Sequence, residues 1–156
     1  ERGVELGYDD ADVQRGFALM QQADMTNAVM DVQACIAALR SQGEVGVVGY
    51  CWGGLVSWVS ACRTIGLSAA VCYYGGGIAR NLDLTPRCPV MMHFGARDSH
   101  IPAEEVQAVR DRHPEVEVHV YEAGHGFNCD QRGSYDEAAA AAALERTQAF
   151  FKEHVG

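Results

Sequence analysis

Short apolar runs alternate with helix-like segments from about residue 10 to the end of the chain, and this alternation most constrains the fold. Runs rich in strand-forming residues occur at 45–50, 69–74, 89–94 and 116–121. Segments with helical spacing of apolar residues occur at 11–22, 24–43, 55–65, 102–111 and 135–151. Strands that alternate with helices predict a mostly parallel sheet with helices on both faces. We therefore predict one α/β domain spanning residues 1–156, in which the 45–50 strand is buried.

Composition excludes several classes of function. The chain carries 21 Asp and Glu against 12 Lys and Arg, a net charge of −9, which argues against a nucleic-acid or anionic-membrane partner. No apolar run approaches the ~18–20 residues that a membrane span needs, and no secretory signal opens the sequence. Most of the six cysteines lie within apolar runs, which is typical of reduced core thiols. We therefore expect a cytoplasmic protein.

The first predicted strand runs directly into a glycine-rich turn, Gly-Tyr-Cys-Trp-Gly-Gly at 49–54, and then into a helix. This is the spacing of a nucleophile elbow, with Cys51 where serine is usual. Such a turn places Cys51 at a helix N-terminus, where unpaired N–H groups and the helix dipole stabilise a thiolate. The Trp52 N–H then becomes a candidate oxyanion donor. The motif alone is weak, and a small core cysteine at a tight turn is the alternative interpretation.

The order of polar residues along the chain strengthens the catalytic interpretation. Nucleophile elbows are followed by an acid and then a histidine, each just beyond the carboxyl end of a strand. Asp98 follows the third predicted strand and His125 follows the fourth, so both should meet Cys51 at one edge of the sheet. His93 lies inside a strand and is predicted to be a core residue. His100, two residues from Asp98, is expected in a solvated loop, with a place in the lining of the pocket as the alternative. No cysteine or histidine pair has metal-ligand spacing, so neither a metal nor a cofactor is predicted.

With these motifs the sequence resembles the dienelactone hydrolase family of the α/β-hydrolase fold. The matching segments are Val-Gly-Tyr-Cys-Trp-Gly-Gly at 48–54, Tyr-Tyr-Gly at 73–75, Arg-Asp-Ser-His-Ile-Pro at 97–102, Glu-Ala-Gly-His-Gly-Phe at 122–127 and the ending at 143–151. The resemblance implies that Cys51 is the nucleophile, His125 the general base and acid, and Asp98 the group that orients the imidazole. It implies hydrolysis of a small-molecule ester or lactone through an acyl-enzyme on Cys51.

The resemblance also suggests substrate contacts, with departures from the family pattern. Tyr73, Phe127 and Arg132 are the expected contacts. Family members acting on dienelactone hold the substrate carboxylate with arginines, one of them four residues after the catalytic histidine. Cys129 occupies that position here, and Arg132 follows a few residues later. A changed arginine clamp changes the preferred acid or ester, so dienelactone itself is doubtful as the substrate.

Family members also carry an N-terminal portion that contributes the first strands of the sheet. The sequence begins at Glu1 without a methionine, so this chain is expected to be the C-terminal part of an α/β-hydrolase fold. The strand at 45–50 would then have an exposed apolar edge that invites pairing. We expect a complementary N-terminal chain or another partner to pair along that edge.

Three alternatives remain open from the sequence. A thioesterase or carboxylesterase could use the same three residues. The chain could instead be a non-catalytic fragment or binding subunit that needs the complementary chain. A redox sensor centred on Cys51 has less support, because no resolving cysteine lies nearby in the sequence.

Overall fold

The computed structural model describes residues 3–156, and Glu1 and Arg2 lie outside the described residues. The helices are α1 (Asp10–Gln22), α2 (Met25–Leu39), α3 (Trp52–Arg63), α4 (Ala103–Arg112) and α5 (Glu137–His154). The strands are β1 (Gly46–Tyr50), β2 (Ala69–Tyr73), β3 (Val90–Gly95) and β4 (Glu117–Tyr121). Short 3-10 helices follow α2 at Arg40–Gln42 and β2 at Ile78–Asn81, and the second was not predicted. The fold is α/β, as the alternation predicts.

The strands form one four-stranded sheet in the order β1-β2-β3-β4, and each neighbouring pair is parallel. The two central strands, β2 and β3, are buried along their whole length. The prediction that the first strand is buried is wrong, because β1 is an edge strand with a neighbour on one side only among the described residues. Val48 and Tyr50 of β1 are 41% and 46% exposed.

Helices cover both faces of the sheet, as predicted, and two glycines of β1 show which helix lies on each face. A Cβ at Gly46 would lie 2.7 Å from the ring of Phe151 in α5. A Cβ at Gly49 would lie 2.0 Å from the backbone oxygen of Gly53 in α3. Because positions three apart in a strand point to opposite faces, α3 and α5 pack on opposite sides of β1.

A chain of buried polar groups fixes α5 to the sheet. The Thr147 hydroxyl of α5 lies 2.7 Å from the Tyr73 hydroxyl and 3.0 Å from Nε2 of His93. The other ring nitrogen of His93 lies 2.8 Å from the Tyr121 hydroxyl, which also accepts a hydrogen bond from Arg146. Burial lowers the pKa of His93 to about 3, so the imidazole is neutral and donates on one side while accepting on the other. His93 is thus a fully paired core residue, as predicted.

Membrane insertion has no helical candidate in the part of the chain that the structure describes. None of the helices within residues 3–156 has both the length and the apolarity needed to cross a bilayer.

The close approach of α3 to β1 predicts that Gly49 tolerates no side chain. Gly49→Ala places a Cβ within 2.6 Å of the Ser57 hydroxyl as well as against Gly53, so the helix must move. We expect Gly49→Ala to lower the free energy of unfolding by about 2–3 kcal/mol, measured by urea denaturation. Gly53→Ala is the matched control, because its Cβ meets no atom within 4 Å. Equal losses in the two variants would contradict this account of the packing.

Candidate active site

Cys51 occupies the single position between β1 and α3. Its backbone has φ 54° and ψ −117°, a left-handed conformation that costs free energy for a residue with a Cβ. The conformation is held by a hydrogen bond from the Cys51 N–H to the Tyr73 carbonyl at 3.0 Å, and by another from the Gly54 N–H to the Cys51 carbonyl at 2.9 Å. This strained turn lifts the thiol above the carboxyl edge of the sheet.

The glycines of the elbow have different roles. A Cβ at Gly54 would lie 2.7 Å from the Tyr73 carbonyl, so Gly54 lets α3 approach β2. Gly49 lets α3 approach β1 in the same way, whereas a side chain at Gly53 would meet no neighbouring atom within 4 Å. Two of the three glycines are therefore required by packing, and the third is not.

Cys51, His125 and Asp98 form one continuous hydrogen-bonded chain, although they are far apart in sequence. Nε2 of His125 lies 3.2 Å from Sγ of Cys51, and Nδ1 of His125 lies 2.8 Å from Oδ2 of Asp98. Cys51 follows β1, Asp98 follows β3 and His125 follows β4. The parallel strands end at the same edge of the sheet, and the three side chains therefore meet there.

Asp98 holds the imidazole in one orientation. Asp98 is only 7% exposed, and its Oδ1 accepts hydrogen bonds from the backbone N–H groups of His100 at 2.8 Å and Ile101 at 3.2 Å. Its other oxygen faces Nδ1 of His125. An ionised carboxylate only accepts hydrogen bonds, so Nδ1 carries a proton and Nε2 is directed at the Cys51 sulfur.

The electrostatics of the site favour a thiolate. The hydrogen bond from His125 lowers the pKa of Cys51, and this effect outweighs the opposing effect of burial. The backbone N–H of Trp52 and the charge of Arg132 lower the Cys51 pKa further. Burial acts to lower the pKa of His125, but the hydrogen bonds to Cys51 and Asp98 together raise it above its ordinary value. Both shifts stabilise the pair of thiolate and imidazolium.

Core cysteines show the opposite behaviour. Burial raises the pKa of Cys62 to about 12 and that of Cys88 to about 11, and it also raises the pKa of the fully buried Cys72. These thiols stay protonated and inert. Cys51 therefore differs from them in environment, which argues against the interpretation of Cys51 as a small core residue.

Two cavities meet at Cys51, and both are also lined by Arg132. The first, of about 380 Å³, is called here the apolar lobe. Its lining includes Phe17, Met20, Trp52 and Leu55. The second, of about 420 Å³, is called the tyrosine lobe. Its lining includes Tyr8, Tyr50, Tyr74, Asn128, Cys129 and Asp130. A molecule bound with its reacting carbon at the Cys51 sulfur can thus extend in two directions.

The structure brings only some of the expected substrate contacts to this cleft. Arg132 lines both lobes, and Trp52, the expected oxyanion donor, lines the apolar lobe. Tyr73 and Phe127 are 1% and 0% exposed and line neither lobe. The expectation that these two residues contact substrate therefore needs correction. The Tyr73 side chain points toward α5, where its hydroxyl forms a hydrogen bond with Thr147. Phe127 packs against the ring of Tyr74.

Sequence reasoning missed several residues that line the cleft. Phe17 and Met20 lie on α1, whose apolar positions predict a helix but not what the helix covers. His100 was not missed, since a place in the pocket lining was the alternative to a solvated loop; it lines the apolar lobe, and its ring lies edge-on to that of His125 with 5.0 Å between the ring centroids. Tyr74 lines the tyrosine lobe, and its ring packs against that of His125 with 5.1 Å between the ring centroids. Its position just beyond β2 was the available signal, since residues at that edge face the site.

Comparisons with known proteins identify relatives of this chain. The chain is 35% identical to carboxymethylenebutenolidase of Pseudomonas putida in a 148-residue alignment that covers 88% of this chain and 62% of that protein. It is 32% identical to carboxymethylenebutenolidase 1 of Cupriavidus pinatubonensis, over 86% of this chain and 61% of that protein. The chain thus spans about three fifths of the length of these relatives.

Solved structures give the same result. A dienelactone hydrolase-like promiscuous phosphotriesterase from metagenomic libraries superposes with a TM-score of 0.74 at 25% identity, over 96% of this chain and 70% of that one. An esterase of Pyrococcus furiosus shares the fold, with a TM-score of 0.66 at 18% identity over 82% of this chain and 62% of that one. The model of the dienelactone hydrolase family matches residues 1–155. This chain belongs to the dienelactone hydrolase family.

Proposed function

We propose that this protein is a cysteine-dependent hydrolase of small esters or lactones that forms an acyl-enzyme on Cys51. The observation that carries the proposal is the unbroken chain from Asp98 through His125 to the Cys51 sulfur, located where two cavities meet. The relatives named carboxymethylenebutenolidase support the same reaction class.

In the proposed mechanism, His125 takes the proton of the Cys51 thiol and the thiolate attacks the carbonyl carbon of the substrate. The carbonyl π electrons move to oxygen, and the Trp52 N–H stabilises the resulting oxyanion. When the tetrahedral intermediate collapses, the carbon–oxygen bond to the leaving group breaks and His125 gives it the proton. His125 then deprotonates a water molecule that attacks the thioester, which releases the acid and restores the thiol. Asp98 keeps the imidazole oriented throughout.

Arg132 is proposed as a substrate contact, because its side chain borders both lobes next to Cys51. With Cys129 where family members acting on dienelactone carry arginine, we propose a different substrate preference. We also propose that residues 1–156 act as one α/β-hydrolase-like domain. The six cysteines are free thiols, which supports a reducing, cytoplasmic location.

The proposed activity predicts that Cys51 is essential for ester hydrolysis. Cys51→Ala removes the nucleophile, so we expect the rate with p-nitrophenyl acetate to fall by about a thousandfold or more. Wild-type protein quenched during turnover should carry one acetyl group on Cys51 by peptide mass spectrometry. Cys35→Ala, at an exposed cysteine of α2, is the control and should keep full activity. Equal rates for wild type and Cys51→Ala would favour a non-catalytic binding subunit instead.

We further propose that another polypeptide, a complementary N-terminal chain or a second copy, pairs with the outer edge of β1. Val48 and Tyr50 are exposed there, and an open apolar edge strand has backbone groups available for pairing.

This proposal predicts that the purified protein sediments above the 16.9 kDa of a single chain. Val48→Lys should shift the protein to the monomer in analytical ultracentrifugation, because a charge on the edge opposes pairing. Val120→Lys is the matched control, since Val120 on the opposite edge strand is equally 41% exposed. A wild-type chain that is purely monomeric on its own would refute pairing with a second copy, and one that also stays monomeric when mixed with the complementary N-terminal chain would refute the whole proposal.

A further inference from the structure

Tyr74 shares an unusual backbone conformation with the proposed nucleophile. Within residues 3–156, Cys51 and Tyr74 are the only residues other than glycine with positive φ, and that of Tyr74 is 37°. A hydrogen bond from the Tyr74 N–H to the His93 carbonyl at 2.7 Å holds it there. Such strain persists where surrounding structure enforces it, and it concentrates at functional sites. The conformation turns the Tyr74 side chain toward the cleft, while the preceding Tyr73 points toward α5.

The ring of Tyr74 is fixed between two aromatic neighbours. Its centroid lies 5.1 Å from that of the His125 ring and 5.3 Å from that of the Phe127 ring, and Tyr74 is only 3% exposed. Phe127 therefore contributes to the site indirectly, by supporting this ring.

The Tyr74 hydroxyl has no hydrogen-bond partner in residues 3–156, although a buried tyrosine usually finds one. Among the described residues, Oγ of Ser60 is the only side-chain polar atom that is unpartnered and also sealed from solvent. Because the Tyr74 hydroxyl is unpartnered, it must therefore be reachable by solvent. The cavity it reaches is the tyrosine lobe, which Tyr74 lines together with Cys51.

The phenol is a hydrogen-bond donor at neutral pH. Burial raises the pKa of Tyr74, and the neighbouring Cys129, Tyr50 and Cys51 raise it further against a smaller opposing effect of Arg132. A neutral phenol keeps its O–H and can donate to an acceptor oxygen placed in the lobe.

We propose that Tyr74 is a specificity-determining residue whose hydroxyl donates a hydrogen bond to an acceptor oxygen of the substrate in the tyrosine lobe. The preferred esters then carry an oxygen-bearing group on one side of the scissile bond and an apolar group on the other. Because Cys51 lies at the junction, the acyl and leaving groups occupy different lobes, and the apolar group meets Phe17 and Met20. This inference rests on the proposed ester hydrolysis.

Tyr74→Phe tests the proposal, since it removes the hydroxyl and keeps the ring packing. The substrates are two pairs of esters, and the two members of each pair differ by one hydrogen-bond-accepting oxygen. Phenyl methoxyacetate is compared with phenyl butyrate, and 4-(hydroxymethyl)phenyl acetate with 4-ethylphenyl acetate. We expect Tyr74→Phe to lower kcat/KM about five- to tenfold for the acceptor-bearing ester of one pair, and less than about twofold for its apolar counterpart. Wild type should favour the same ester after normalisation to its rate of hydrolysis by hydroxide.

Tyr135→Phe is the control, because Tyr135 is exposed and lines neither lobe, and it should change no rate. An unchanged thermal unfolding midpoint would show that Tyr74→Phe preserves the fold. No loss with any ester, or an equal loss for both members of each pair, would overturn the assignment of Tyr74. Failure of the proposed function itself would look different, since wild type would then hydrolyse none of the four esters faster than Cys51→Ala does.

Discussion

The hydrogen bond between Nε2 of His125 and the Cys51 sulfur is the interaction on which the proposed chemistry depends. It lowers the pKa of the thiol in a half-buried position, where desolvation alone would raise it. The bond requires that the imidazole present Nε2, and the Asp98 carboxylate ensures this by accepting from Nδ1. Asp98 is itself oriented by two backbone N–H groups, so the whole chain is anchored in the backbone. A lone thiol in a glycine-rich turn would lack all of these constraints.

The fold supplies that geometry through backbone contacts that leave little room for movement. Gly49 and Gly54 allow α3 to approach β1 and β2, so the helix begins directly after Cys51. On the other face, the buried polar groups around His93 tie α5 to the central strands. The same strands provide the carbonyls that bind the N–H groups of Cys51 and Tyr74. The strands β2 and β3 therefore both anchor α5 and fix the backbone positions of Cys51 and Tyr74.

Sequence patterns could predict the parts of the site that depend on chain order. Cys51, Asp98 and His125 each follow a recognisable strand, and parallel topology then brings them together. Patterns failed where a result depends on which way a side chain faces. Tyr73 and Tyr74 are adjacent, chemically identical and both buried, but Tyr73 binds Thr147 of α5 whereas Tyr74 lines the tyrosine lobe. Likewise β1 has a core-like composition, but its exposure depends on how many strands lie beside it.

The most direct test of the central claim is the pH dependence of Cys51 alkylation by iodoacetamide, followed by peptide mass spectrometry. The account predicts a midpoint below the ordinary thiol pKa of 9.0, because the thiolate persists at lower pH beside His125. His125→Ala should move the midpoint upward, since burial then acts without the compensating hydrogen bond. A midpoint at or above 9.0 in wild type, unchanged in His125→Ala, would contradict the account.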